Sequence, residues 1–489
     1  MTGGPIVTTA AGRVRGLWRA APGEPQAFAA FLGIPFAKAP VGELRFDAPV
    51  APEPWDDVRD AVAYGATAQR GDPGVTLIPE PSIPGEGTLN VNVFTPAPGK
   101  ADAALPVLVW IHGGGYFAGS PASPWYDGRA FNRDGVVTVT ISYRLGFDGF
   151  GWIEDAPANR GVRDWLLALQ WVQDNVAAFG GDPARVTIAG QSAGGGAVLT
   201  LLGMPAAQHL FQSVWALSGA TADVPADRAE ALGRQIAAKA GVAPTRAGLS
   251  TVPEARILEI QKQATDLSGP DALNRLLNDG LMLGPTIDGD LITRPTPTAL
   301  ASGVGGDKPL VLGATDDEFS MVVKDAEKTL RWVPLRIILG KAGLRGPRRK
   351  AWLAANADAV ARGHAAVLGR YITDRMFTTA VVTTARARGA APTWVYRYAF
   401  QSEVFDAAVH CIDVPFWFDC LDAVAVEALT GPNPPQPLAD QTHAAAVALI
   451  RDGDPGWRAW SQRAGSTFVF GGDGPRLDAD GYTGASTLL

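Results

Sequence analysis

Arg185-Val186-Thr187-Ile188-Ala189-Gly190-Gln191-Ser192-Ala193-Gly194 leads into an Ala/Leu-rich run that ends at Leu202. The apolar and β-branched residues of 186–189 read as a short buried strand, and the run after Gly194 reads as a helix. Between them stands G-x-S-x-G, the pattern of a sharp strand-to-helix turn that exposes a serine hydroxyl. Glycines on either side leave room for a strained backbone at Ser192. The serine also sits at a helix N-terminus, where the dipole favours developing negative charge. The pentapeptide alone is weak evidence in a chain with 57 glycines. Its strand-before, helix-after context carries the reading.

Outward from this turn, near-continuous apolar runs alternate with helical segments, the pattern of a parallel sheet covered on both faces. The runs are Val107–Ile111, Val136–Ile141, Val186–Ala189, Val214–Leu217, Leu310–Leu312 and Trp394–Tyr398. Asn159 to Phe179 reads as a helix, with Val162, Leu166, Leu169 and Val172 at spacings of three or four. The first third reads as short strands and turns, an N-terminal antiparallel β portion. Gly71 to Gly87 is a Pro/Gly/Ser-rich loop, a candidate lid or rim. Residues 320–390 read as a helical insertion, and the basic turn Arg345 to Lys350 within it reads as a solvated helix junction. The expectation is one α/β domain over 1–489.

Upstream, the Val107–Ile111 strand ends in His112-Gly113-Gly114-Gly115-Tyr116. Such a turn offers backbone N–H groups to a tetrahedral oxyanion. A nucleotide-phosphate loop needs a helix directly after the glycines, and Tyr116-Phe117-Ala118-Gly119-Ser120-Pro121 does not open one. His112 reads as ordering this loop. A serine hydrolase of this kind needs an acid and then a histidine after the nucleophile. Asp316-Asp317-Glu318 follows the Leu310–Leu312 strand, and His410 lies in the loop after the Trp394–Tyr398 strand. His209 reads as a surface residue, and His364 and His443 lie in helical contexts. The three carboxylates remain alternatives at this point.

Several further stretches carry a resemblance. Gly33-Ile34-Pro35-Phe36-Ala37 through Pro40-Val41-Gly42-Glu43-Leu44-Arg45-Phe46 is similar to an N-terminal signature of the type-B carboxylesterase family. Gly85-Glu86-Gly87-Thr88-Leu89-Asn90-Val91-Asn92-Val93 resembles its second signature, with Gly87 and Thr88 where the family has Asp and Cys. Tyr143-Arg144-Leu145-Gly146 and Phe179-Gly180-Gly181-Asp182-Pro183 extend the likeness over nearly the whole chain. The resemblance implies an α/β-hydrolase fold and a carboxylesterase. It implies Ser192 as nucleophile, Glu318 as acid and His410 as base. It implies an oxyanion hole from the N–H groups of Gly114, Gly115 and Ala193. It also implies buried ion pairs Arg45–Glu86 and Arg144–Asp164.

Gln191 stands where the family has Glu, and the 71–87 loop lacks Trp, so a choline-type site has no counterpart. Tyr116, Phe117, Phe416, Trp417 and Phe418 either line the substrate pocket beside Gln191 or pack in the core. The expected reaction is hydrolysis of a neutral small-molecule ester, with no metal or organic cofactor. Amide, carbamate or lactone hydrolysis by the same residues is the alternative within this chemistry, and a catalytically dead binding protein the alternative outside it.

Composition narrows the partners. Lys and Arg total 42 against 49 Asp and Glu, for a net charge of −7, which argues against nucleic acid. Cys411 and Cys420 are too few for a disulfide framework and read as packed thiols. The start, Met1-Thr2-Gly3-Gly4-Pro5, lacks the basic and apolar regions of a signal peptide. No apolar run approaches membrane-spanning length. A cytoplasmic monomer or homodimer without a membrane partner is expected.

Overall fold

The computed structural model describes residues 3–20, 27–68, 76–219, 221–266, 272–324, 326–472 and 474–489. Residues 71–75 of the expected rim loop, and Met1 and Thr2, lie outside the described residues. The main sheet takes eleven strands in chain order: β1 (Leu17–Ala20), β2 (Ala27–Pro35), β3 (Asn90–Thr95), β4 (Leu105–Ile111), β5 (Val137–Ile141) and β6 (Gly181–Gln191), followed by β7 (Ser213–Leu217), β8 (Leu310–Thr315), β9 (Thr393–Tyr398), β10 (Thr467–Phe470) and β11 (Arg476–Asp478). Across the sheet they lie in the order β11-β10-β9-β8-β7-β6-β4-β5-β3-β2-β1. From β10 to β5 every pairing is parallel. The pairings of β5 with β3, β3 with β2 and β2 with β1 are antiparallel. This is a mixed α/β-hydrolase sheet with helices on its faces.

Alternation along the central strands feeds two cores, because successive side chains point to opposite faces. Val107, Val109 and Ile111 pack on one face with Trp165, Leu169 and Val172 of the helix Arg160–Asn175. Leu108 and Trp110 pack on the other with Trp215, Val311 and Trp417. Asn159 caps that helix in a left-handed conformation, and a 3₁₀ turn over Val176–Phe179 completes the expected segment. Residues 320–388 form a run of helices with a small core of their own around Leu339, Trp352 and Tyr371.

Arg144 and Asp164 form a buried pair, with Nη2 to Oδ1 at 2.6 Å and Nε to Oδ2 at 2.9 Å. Arg144 Nη1 also donates to the Asp47 carbonyl, tying the N-terminal segment to the sheet. The Arg45–Glu86 pair is corrected by the structure. Arg45 Nε instead meets Asp148 at 2.9 Å, and its Nη1 donates to the Val252 carbonyl. Asp148 comes up from the helix Gly146–Phe150 into the half-buried site. Glu86, on an exposed loop, stays in water and makes no ion pair among the described residues.

Candidate active site

Register brings the C-terminal ends of the central strands together. Ile111 pairs with Gly190, and Gln191 with Leu217. Ligands of open α/β sheets bind at this edge. β6 ends at Gln191, and the helix Ala193–Leu202 starts one residue after Ser192. Ser192 has φ 58° and ψ −122°, a conformation side chains rarely adopt and one characteristic of strained functional turns. Its amide is anchored to the Leu217 carbonyl at 2.9 Å. A Cβ on Gly194 would lie 2.0 Å from the Ile111 carbonyl oxygen. Only glycine lets the helix start this close to β4.

The glycine turn after β4 lies against Ser192. A Cβ on Gly113 would meet Ser192 Cβ at 3.1 Å. Gly114 and Gly115 have φ of 106° and 60°, and among the described residues their N–H groups have no hydrogen-bond acceptor. The Ala193 amide opens the helix, where the first N–H groups lack intrahelical partners. His112 is buried, stacked on Tyr143 at 4.5 Å, with Nδ1 against the Gly113 carbonyl. It belongs to the turn's scaffold.

The three carboxylates after β8 share none of their partners. Asp316 pairs with Arg397 at 2.7 Å. Asp317 takes Arg362 at 2.8 Å and Arg370 at 3.2 Å. Glu318 hydrogen-bonds His410 Nδ1 directly through Oε2, while its Oε1 accepts from the Thr315 amide at 2.8 Å. The His410 amide donates to the Glu318 carbonyl at 2.8 Å, locking the two loops together. Phe319 and Phe377 flank the imidazole at 4.9 and 5.2 Å. The other histidines after Ser192 are placed elsewhere. His209 is exposed, His364 Nδ1 meets the Leu330 carbonyl, and His443 bridges Trp417 and Asp134.

In the neutral form of His410, Nδ1 faces a carboxylate and carries the proton, and Nε2 keeps its lone pair. The Gln191 side-chain amide lies 3.2 Å from that Nε2 and donates to it. Burial by itself disfavours the imidazolium, but the neighbouring Cys411 and Glu318 outweigh it and hold the His410 pKa well above the ordinary imidazole value. Cys411 is a buried thiol whose own pKa burial raises, so at neutral pH it carries no charge. Glu318 is therefore the operative cause. Asp413 follows three residues later, fully buried, with Oδ2 against the Tyr396 hydroxyl at 3.2 Å. Burial and the nearby Glu318 push its pKa up to about 7. Sequence reading missed Asp413, Phe319 and Phe377. Only the fold brings them to His410.

Four aromatic pocket candidates are corrected. Phe416, Trp417 and Phe418 lie in the core beneath the sheet, against Tyr398, Trp110 and Phe131. Tyr116 is fully buried against Phe150 and Trp165. Large rings lose the most exposed apolar surface by packing there. Phe117 is different: it stands half in solvent at 49% exposure on the glycine turn.

Residues 3–455 match the model of the carboxylesterase family. The chain is 32% identical to the para-nitrobenzyl esterase of Bacillus subtilis over 490 residues, covering 95% of this chain and 94% of that one. It is 32% identical to liver carboxylesterase 1 of Oryctolagus cuniculus over 437 residues, 81% of this chain and 76% of that one. Among solved structures, the Geobacillus stearothermophilus carboxylesterase EST55 superposes with a TM-score of 0.82 at 31% identity, covering 99% of both chains. A strained serine at the sheet's C-terminal edge thus coincides with family likeness along almost the entire sequence, and the chain belongs to the carboxylesterase family.

Proposed function

We propose that the protein hydrolyses neutral carboxylic esters through an acyl-enzyme, with Ser192 as nucleophile, His410 as base and Glu318 as the orienting acid. The observation that carries this reading is His410, held at Nδ1 by Glu318 with its Nε2 facing the side chain of Gln191, the residue before the strained Ser192. Ser192 Oγ attacks the ester carbonyl and passes its proton to His410 Nε2, displacing the Gln191 amide from that nitrogen. Negative charge on the carbonyl oxygen is met by the N–H groups of Gly114, Gly115 and Ala193. The imidazolium then protonates the leaving alkoxide, which departs as the alcohol. Water, deprotonated by His410, attacks the acyl-serine, and the proton returns to Ser192 Oγ as the acid leaves. Glu318 favours the imidazolium in both halves of the cycle and fixes its tautomer.

The test uses a fluorophosphonate probe and the p-nitrophenol burst from p-nitrophenyl acetate. Wild type should label once and show the burst. Ser192→Ala should lose both while unfolding at the same denaturant concentration. Labelling that survives on another serine removes Ser192 from the mechanism.

A further inference from the structure

The helical insertion carries a charge imbalance that the catalytic reading leaves unused. Residues 324–350 hold nine Lys or Arg against two acidic side chains, a local +7 in a chain whose total is −7. The rest of the chain therefore carries −14, so the basic residues are concentrated here. Three short helices open the segment, Ser320–Lys324, Glu327–Leu330 and Leu335–Lys341, and all three pack on the helix His364–Thr373. Each of the three has a side turned away from that support.

Those outer sides are both basic and apolar. On Leu335–Lys341 the buried residues are Ile338 and Leu339, while Arg336, Ile337 and Lys341 are exposed on the opposite face. On the preceding turn Lys328, Arg331 and Trp332 are exposed. Trp332 at 76% and Val322 at 73% are the most exposed large apolar side chains among the described residues. The Arg331 guanidinium lies 4.9 Å over the Trp332 ring. Lys324 pairs with Asp406. Lys328, Arg331, Arg336 and Lys341 form no ion pair among the described residues, and neither do Arg345, Arg348 and Lys350 just beyond.

We propose that this face is a docking surface for an anionic phospholipid membrane. A solvated helix junction explains Arg345 to Lys350 alone, but not unpaired cations interleaved with bare Trp, Val and Ile. A nucleic acid would satisfy the cations and leave Val322 and Ile337 in water. A lipid surface takes both: phosphates meet the cations, and the apolar side chains enter the headgroup boundary, where Trp is favoured. The surface begins two residues after Glu318, and Phe319 links it to the His410 ring. Docking there would hold the site near esters dissolved in the lipid. This revises the expectation of no membrane partner, and it stands whatever the roles of Ser192, Glu318 and His410.

The experiment is co-sedimentation of the full chain with vesicles of pure phosphatidylcholine, or of phosphatidylcholine with a quarter phosphatidylglycerol, at low and high salt. Binding to the anionic vesicles should exceed binding to the neutral ones by roughly tenfold or more, and should weaken with salt. Arg336→Glu with Lys341→Glu should remove roughly tenfold or more of it. Trp332→Ser should weaken binding several-fold without changing its salt dependence. Both variants should keep wild-type turnover of a soluble p-nitrophenyl ester, which shows that they fold. Equal binding to both vesicles, or binding indifferent to these substitutions, overturns the proposal. So does salt-sensitive retention on heparin that needs Arg336 and Lys341 when vesicles do not bind.

Discussion

With the Gln191 amide 3.2 Å from His410 Nε2, exchanging its nitrogen for oxygen puts a carboxylate against the imidazole. A neutral amide can donate to the resting lone pair and, after rotation, offer its oxygen to the protonated ring, without favouring either state by charge. A carboxylate favours only the protonated one. His410 already titrates high because Glu318 outweighs burial, and a second negative charge moves it in the same direction. An opposite charge this close shifts a pKa by roughly 1–3 units. In the proposed mechanism only the neutral imidazole accepts the Ser192 proton, and kcat/KM falls below its pKa. Gln191→Glu should therefore move the acid limb of the kcat/KM profile to higher pH and restore activity in alkaline buffer. Cationic esters should gain relative to neutral ones. A pH–rate profile on one ester of each kind reads both effects, and an unmoved acid limb would show that residue 191 does not govern the base.

At the scale of elements, the loop after β8 is held from two sides. Asp316 is fixed by Arg397 of β9, and Asp317 by Arg362 and Arg370 of the helical insertion. The insertion thereby positions the loop that carries Glu318 without touching His410 through these arginines. Asp317→Asn leaves two arginines facing an uncharged side chain, one of them buried, and removing one partner of such a pair costs about 3 kcal/mol. That variant should unfold at lower denaturant yet keep kcat within about tenfold, because its partners are not the imidazole. Glu318→Gln should lose roughly 10³–10⁴ in kcat, since the amide supports neither the tautomer nor the imidazolium. Denaturation and ester turnover on both variants separate the two roles, and a reversed pattern would reassign the acid. The local sequence pattern located this loop but left three adjacent carboxylates open, and only the family resemblance singled out Glu318. Their partners lie 45, 53, 81 and 92 residues away along the chain, beyond any local pattern. The same limit applied to Phe416, Trp417 and Phe418, because a pocket wall and a core are equally apolar in sequence. The strand-to-helix turn at Ser192 and the glycine turn were legible because each needs a particular local backbone shape, and that shape restricts which residues can occupy it.

For the whole molecule, the parallel strands were readable since both faces are buried and each strand is a continuous apolar run. The partner of Arg45 was not, because Asp148 and Glu86 are both acidic and only packing decides which one enters the half-buried site. Packing also creates a pH dependence that no sequence pattern announces. Asp413 is buried near Glu318, with Oδ1 lacking a hydrogen-bond partner among the described residues. Around it stand His410, Cys411, Tyr396 and Tyr398. Its carboxyl titrates at about 7 in the folded chain and near the ordinary 3.9 in the unfolded one. Below about pH 4 both states are protonated, and the group has no net effect. Between these values the folded state holds a proton that the unfolded state has released, so stability falls as pH rises. Above about pH 7 both are ionised and the loss is complete. A shift of this size corresponds to about 2–4 kcal/mol. Asp413→Asn cannot ionise, so this contribution to the pH slope should vanish. Chemical denaturation of both proteins at several values between pH 4.5 and 8 should show the variant gaining on wild type by about 2–4 kcal/mol across that window. The absolute level of the variant is immaterial, since the buried amide brings donors of its own. A difference that stays constant with pH would mean that Asp413 is ionised in the folded protein throughout. The imidazolium of His410 would then be held by two buried carboxylates rather than one.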